Sequence, residues 1–318
     1  MTVISKQSHV DILLGAYNGE DFIGEQIDSV LRQTHRSFTL RVLDDGSTDG
    51  TAALVAEYAG RWPGRVLLSR NSENHGIRAT FNTLMESAAA PYMAFCDQDD
   101  LWFPEKIELT LMAMQDMEER LGRETPLMVH TDANVGNAGL EIVAESLWRY
   151  QVSDPDAGRR FSRLLLQNIA TGCTVMINKA LRDRGCPAPP EAVMHDWWLA
   201  LVAAAFGGIW SVPSRTMIYR QHGSNDTGAR RWSVTREVLR MLDSSRRNDS
   251  RKVRAVIRGQ AGVFLERFGG CLKAEDRDAV AGFLGLDTKG FFGRRLGIMK
   301  HGLFYSGFAR NVGHLLRG

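Results

Sequence analysis

The 318-residue sequence has only four cysteines, Cys96, Cys173, Cys186 and Cys271, and no Cys-x-x-Cys pair. That excludes a disulfide framework and a zinc scaffold, and predicts reduced, mostly buried thiols in a cytosolic setting. Long apolar runs are also missing. The longest, residues 197–210, has 14 residues and includes two glycines, which is too short to span a bilayer. Residues 1–7 lack the apolar core of a signal peptide. No Gly-x-Gly-x-x-Gly follows the first predicted strand and no Walker Gly-Lys-Ser/Thr occurs, so the two commonest backbone cradles for phosphate are absent. Phosphate would have to be neutralised by a metal and a few side chains. Net charge is scarce as well, +2 overall, but it is unevenly spread. Residues 229–318 carry 19 Lys+Arg against 8 Asp+Glu, a net of +11, and residues 1–228 carry 20 against 29, a net of −9. An acidic body with a basic tail predicts two different jobs and a division into domains 1–228 and 229–318.

What is present is a regular alternation. Short apolar runs at 10–14, 38–43, 65–69 and 93–96 read as strands, and helical spacing follows each of them. Four strand–helix alternations predict an α/β fold with a mostly parallel sheet and helices on both faces. In such a sheet the ligand lies beyond the carboxyl ends of the strands. Asn18, Asp45, Asn74 and Asp97 all fall just after predicted strand ends, so they are expected to converge on one crevice. The fourth strand runs into FCDQDDLWFPEKI, residues 95–107, with Asp97, Asp99 and Asp100 within four positions. Carboxylates this close repel one another unless a cation joins them. A strand end that delivers Asp-x-Asp into a cleft suits a divalent metal carrying a phosphorylated ligand. The plain alternative is a loop in which Asp99 or Asp100 caps the following helix.

Seven segments, in order, resemble the family 2 glycosyltransferases of the GT-A fold, in particular their rhamnosyltransferase-like branch. They are AYNGEDFIGEQIDSVLRQT at 16–34, LDDGSTDGT at 43–51, NHGIRATFN at 74–82, DQDDLWFPEKI at 97–107, TGCTVMIN at 171–178, HDWW at 195–198 and YRQHGSNDTG at 219–228. The resemblance implies inverting glycosyl transfer from a nucleotide-diphosphate sugar, dTDP-L-rhamnose first and a UDP-hexose second, to a glycan or lipid-linked glycan in cell-surface polysaccharide or O-antigen synthesis. It implies Ala16, Tyr17, Glu20, Asp45, Arg78, Asp97 and Asp100 as nucleotide-sugar contacts: Tyr17 stacks on the base, Asp45 accepts its ring N–H, and Arg78 lies near the diphosphate. Asp99 and His222 would hold Mn²⁺ or Mg²⁺. Gly172, Cys173, Trp197 and Trp198 would shape the sugar and acceptor pocket. Asp196 would be the base that takes the acceptor's proton. Each has a plainer alternative: a helix cap for Asp45 and Asp196, a solvated helix face for Arg78, core packing for the tryptophans.

The match fades beyond Gly228. Residues 289–318 hold six Lys+Arg and no acidic residue, with frequent phenylalanine and leucine. Such a basic amphipathic stretch fits an anionic membrane surface at the inner face of the plasma membrane, or else a helical cap on the catalytic body. No nucleic-acid recognition motif is present. A metal-dependent nucleotidyltransferase is the rival enzyme class, but the first turn, GAYNGED, lacks the basic residues such an enzyme would use.

Overall fold

A computed structural model describes residues 8–223 and 246–317. In chain order the strands are β1 (Val10–Ala16), β2 (Phe38–Asp44), β3 (Val66–Arg70), β4 (Tyr92–Asp97), β5 (Leu101–Trp102), β6 (Leu127–Gly136), β7 (Ile142–Ala144), β8 (Val175–Asn178) and β9 (Gly208–Arg220). The helices are α1 (Ile23–Leu31), α2 (Thr51–Arg61), α3 (Ile77–Ser87), α4 (Lys106–Leu121), α5 (Leu147–Gln151), α6 (Phe161–Leu164), α7 (Lys179–Gly185) and α8 (His195–Phe206). After the residues not described come α9 (Arg246–Phe268), α10 (Ala274–Leu284), α11 (Phe291–Lys300) and α12 (Phe308–Arg317).

One sheet runs in the order β3-β2-β1-β4-β8-β6-β9-β5, with β7 paired to β6. The first four strands are parallel, as the alternation predicts. The second half is mixed: β8 is antiparallel to both β4 and β6, while β6 and β9 are parallel. Strand β1 reads as a nearly unbroken apolar run because both of its faces are covered. Ile12 and Leu14 join an apolar layer with α1, α2 and α4, and Leu13 joins the opposite layer with α3 and α8. The one charge in the run, Asp11, is buried but accepts hydrogen bonds from the Ala89 and Ala90 amides and pairs with Arg41 at 3.1 Å. A buried carboxylate needs such partners to stay ionised.

The described part of the tail packs on the body. Ile257, Phe264, Phe268, Val280, Phe283, Ile298 and Leu303 share one apolar core with Trp198, Leu199 and Leu201 of α8. The helical-cap alternative therefore describes α9 to α11. The expected boundary at 228/229 and the end of the 219–228 segment lie outside the described residues.

Candidate active site

Strands β1 and β4 lie side by side with Gly15 opposite Asp97, so their carboxyl ends open into the same space. A cleft of about 650 Å³ lies there, with Tyr17, Asp45, Thr80, Phe81, Asp99 and His222 among its walls. Ala16 and Asp97 line it too, as do Asn18 and Asn74. The expected convergence of strand-end residues is thus present in the geometry.

The first turn is fixed by short polar bonds. Asn18 adopts a left-handed φ of 46°, a conformation asparagine tolerates better than most residues. Its amide N–H donates to Ser47 Oγ at 2.9 Å, and its side-chain oxygen accepts from the Thr48 amide at 2.9 Å. Tyr17, 44% exposed, is held at its backbone by Gln98. The Tyr17 N–H donates to Gln98 Oε1 and Gln98 Nε2 donates back to the Tyr17 carbonyl, both at 2.9 Å. Both bonds use the Tyr17 backbone and leave its phenol ring out. Gln98 was not singled out in the sequence, although it sits inside the acidic motif.

Asp45 is buried and accepts from several donors: Asn71 Nδ2 at 2.6 Å, the Gly76 amide at 2.8 Å and the His75 amide. Burial raises its pKa, but these hydrogen bonds and one from Thr80 outweigh burial and keep it below the ordinary value. Asp45 is therefore a fixed anionic acceptor and not the cap of α2. That task falls to Asp49, which accepts from the Thr51 amide at 3.0 Å. Glu20 faces α2 instead of the cleft, accepting from the Gly50 amide.

The acidic loop after β4 is stapled to the end of β9 by Arg220. Its amide donates to Asp100 Oδ1 at 3.1 Å, its Nε donates to the Asp99 carbonyl at 2.8 Å, and its guanidinium pairs with Glu25. This sets Asp99 Oδ2 2.8 Å from His222 Nε2, with the imidazole stacked on Phe22 at 4.5 Å between centroids. Two ligands at right angles around an octahedral cation, each about 2.1 Å away, stand about 3 Å apart. A carboxylate oxygen and an imidazole nitrogen so placed fit a shared Mn²⁺ or Mg²⁺. Arg220 and Phe22, which position the pair, carried no assignment in the sequence.

Behind the loop lies a second polar group. Asp100 is 1% exposed, and burial, with Asp99 and Asp97 beside it, pushes its carboxyl well above the usual range. Asp97, Asp100 and Cys173 bring one ligand atom each within 4.8 Å of one another. Lys106 is buried in the same region, donates to Thr216 Oγ1 at 3.3 Å, and is pushed down to about 8 by burial. The Cys173 thiol is raised by burial, which makes it a poor nucleophile.

Asp196 stands in the first turn of α8. Its Oδ1 accepts from the Trp197 amide at 2.6 Å. Its Oδ2 faces Gly172, where an added Cβ would lie 3.4 Å away. Burial pushes its pKa up to about 6, against hydrogen bonds from Trp197, Asn168 and Gly172.

Several expectations need correction. Trp197 and Trp198 do not offer a sugar platform. Trp197 donates its indole N–H to the Leu164 carbonyl, and Trp198, 0% exposed, donates to the Gly185 carbonyl and packs edge-on against Phe264. Arg78 is not a cleft wall, since its Nη1 donates to the Ala192 carbonyl at 2.8 Å and ties α3 to the segment before α8. Glu20, Asp100, Gly172 and Cys173 are not among the described walls, and Asp196 is one residue from His195, whose ring stacks on the wall residue Phe81. No Lys or Arg is among the described walls.

The sheet is half parallel and half mixed, flanked by helices, and the cleft opens at its strand ends. Residues 11–121 match the family model described as "Glycosyl transferase family 2". The chain is 25% identical over 230 residues to the dTDP-rhamnosyl transferase RfbG of Shigella flexneri, covering 68% of this chain and 74% of that protein. It is 35% identical over 105 residues to the UDP-Glc:alpha-D-GlcNAc-diphosphoundecaprenol beta-1,3-glucosyltransferase WfgD of Escherichia coli, covering 33% of this chain and 40% of WfgD. Among solved structures it is similar in fold to S. aureus TarS 1-349 in complex with UDP-GlcNAc, with a TM-score of 0.55 and 15% identity over 97% of this chain and 89% of that one. It is also similar to the mannosyltransferase PcManGT of Pyrobaculum calidifontis in complex with GDP-Man and Mn²⁺, with a TM-score of 0.51 and 16% identity over 96% and 83%.

Proposed function

We propose that the protein is an inverting, divalent-metal-dependent glycosyltransferase of cell-surface polysaccharide assembly. The observation that carries this reading is the Asp99–His222 pair on the wall of a cleft with no Lys or Arg among its described walls. The likeness to RfbG favours dTDP-L-rhamnose as donor, with a UDP-hexose second, as the likeness to WfgD suggests. Asp99 and His222 would hold Mn²⁺ or Mg²⁺, which when bound offsets the charge of the departing diphosphate. Tyr17 offers its ring to the base. Asp45, kept ionised, accepts a base N–H and so disfavours bases that lack one. Asp97 faces the ribose side of the cleft. Asp196 takes the acceptor proton, its raised pKa of about 6 suiting a base near neutral pH. A single base opposite the leaving group gives inversion.

A thermal-shift screen of dTDP-L-rhamnose, UDP-glucose and GDP-mannose, with and without Mn²⁺, tests the reading. A donor at 100 times its Kd stabilises the fold by about 2.7 kcal/mol. The expected result is a shift with a dTDP or UDP sugar that needs Mn²⁺. A shift with none of them removes the proposal.

The acceptor in this reading is a glycan or lipid-linked glycan, and the tail brings the enzyme to the membrane that carries it, at its cytoplasmic face. No helix among the described residues is long and apolar enough to cross a membrane. The outer side of α11 and α12 nevertheless exposes Phe292 at 77%, Leu296 at 64% and Phe308 at 86%. Arg295 joins the two helices by donating to the Leu316 carbonyl at 3.0 Å. Exposed rings beside Lys289, Arg295 and Lys300 match an anionic bilayer surface. Replacing Phe291, Phe292 and Phe308 with serine is expected to weaken sedimentation with phosphatidylglycerol vesicles by about tenfold or more. Unchanged sedimentation would remove the membrane contact.

A further inference from the structure

The first turn of the cleft hangs on side chains from two loops. The Asn18, Gly19 and Glu20 amides donate to Ser47 Oγ, Thr51 Oγ1 and Asp49 Oδ2, at 2.9, 2.8 and 3.2 Å, all in or next to the turn after β2. The Tyr17 amide instead donates to Gln98, in the acidic loop. The parallel ladder of β1 and β4 ends at Gly15 and Asp97. Just beyond it the chain turns, and the Gln98 side chain continues the pairing: it accepts from the Tyr17 N–H and donates to the Tyr17 carbonyl, both at 2.9 Å. A primary amide offers the same donor and acceptor as a peptide group. Gly19 makes room for it. A Cβ at Gly19 would stand 2.2 Å from Gln98 Oε1 and 2.4 Å from its Cδ, so a larger residue there pushes the amide off Tyr17. Tyr17, Gln98 and Asp99 are all walls of the cleft.

We propose that Gln98 is a positioning residue of the donor site: it locks the Tyr17 backbone to the acidic loop and so fixes where the Tyr17 ring meets the nucleobase. Asp97 and Asp99 flank Gln98 in the chain, so the loop that carries the metal ligand also sets the base wall. A turn held in its binding conformation spares the ligand the cost of ordering it, and Gly19 is the residue that lets the strut lie in place. The assignment rests on the reading of the cleft as a nucleotide-sugar site with Tyr17 on the base.

The test is titration calorimetry with Mn²⁺ and UDP or dTDP, whichever the wild type binds more tightly. Gln98→Met, which keeps the length of the side chain and loses both hydrogen bonds, is expected to weaken the nucleotide by about tenfold. Gly19→Ala, which leaves Gln98 in the chain but displaces its amide, is expected to weaken it by a similar factor. In a Tyr17→Ala background Gln98→Met should change affinity by less than about twofold, because a strut that acts through Tyr17 has nothing left to position. Without ligand, Gln98→Met should melt within about 2 °C of the wild type, as a substitution outside the core does. Unchanged affinity in Gln98→Met, wild-type affinity in Gly19→Ala, an undiminished loss in the Tyr17→Ala background, or a melting point lower by more than about 5 °C would overturn the assignment. A wild type that binds neither nucleotide, or a Tyr17→Ala protein that binds as tightly as the wild type, would instead defeat the reading of the cleft on which it rests.

Discussion

Asp196→Asn is expected to lower turnover by about 10²–10⁴-fold while donor affinity stays near that of the wild type. That is the usual contribution of a positioned general base, and asparagine preserves the shape but cannot take a proton. The same substitution should make the protein more stable at neutral pH. In the fold the Asp196 pKa lies at about 6, raised from 3.8, so the folded state holds this proton more tightly than the unfolded chain. Its contribution therefore falls as pH rises from about 4 to 6 and stays unfavourable above that. The integrated cost is about 2–3 kcal/mol. Chemical denaturation at pH 5 and pH 8 should show the gain in Asp196→Asn growing towards pH 8. Wild-type kcat/KM should rise with pH through about 6, because the base works only when ionised. A substantially active Asp196→Asn enzyme would remove the base assignment.

Chelation is expected to abolish donor hydrolysis and transfer, and Asp99→Asn to reproduce most of that loss at saturating Mn²⁺. Asp99 offers Oδ2 towards His222 Nε2 at 2.8 Å, so the neutral amide would remove both a ligand and its charge. His222→Ala should weaken Mn²⁺ dependence less severely, since carboxylate and phosphate oxygens suit the cation without it. Steady-state rates against Mn²⁺ concentration separate these cases. Full activity in a chelator would contradict the metal reading.

Much of this site was legible in the sequence because its positions follow from strand ends. Strand β1 is buried on both faces and therefore reads as an apolar run. Asn18, Asp45, Asn74 and Asp97 come at or just after such ends, and the strand pattern places them without knowledge of the rest, whereas Tyr17 is assigned only by the family resemblance. The tryptophans show where that logic stops. Trp197 and Trp198 adjoin Asp196, but adjacency says nothing about which side of α8 meets the cleft, and here both indoles bond to carbonyls in the core. Arg78 lies off the described walls for a like reason, because α3 could present it to either side. The mixed half of the sheet was hidden by its connections. Only four residues, Val175–Asn178, form β8, too few to show a period, and its direction depends on distant pairing. Gln98 and Arg220 lie within the motifs, but their roles are hydrogen bonds across the fold that no local pattern shows.

Pulsed electron paramagnetic resonance of Mn²⁺ bound to the protein with UDP or dTDP tests the central pairing most directly. The account expects coupling to a single imidazole nitrogen, lost in His222→Gln while Mn²⁺ remains bound. Bound Mn²⁺ with no nitrogen coupling in the wild type, or coupling that persists in His222→Gln, would contradict it.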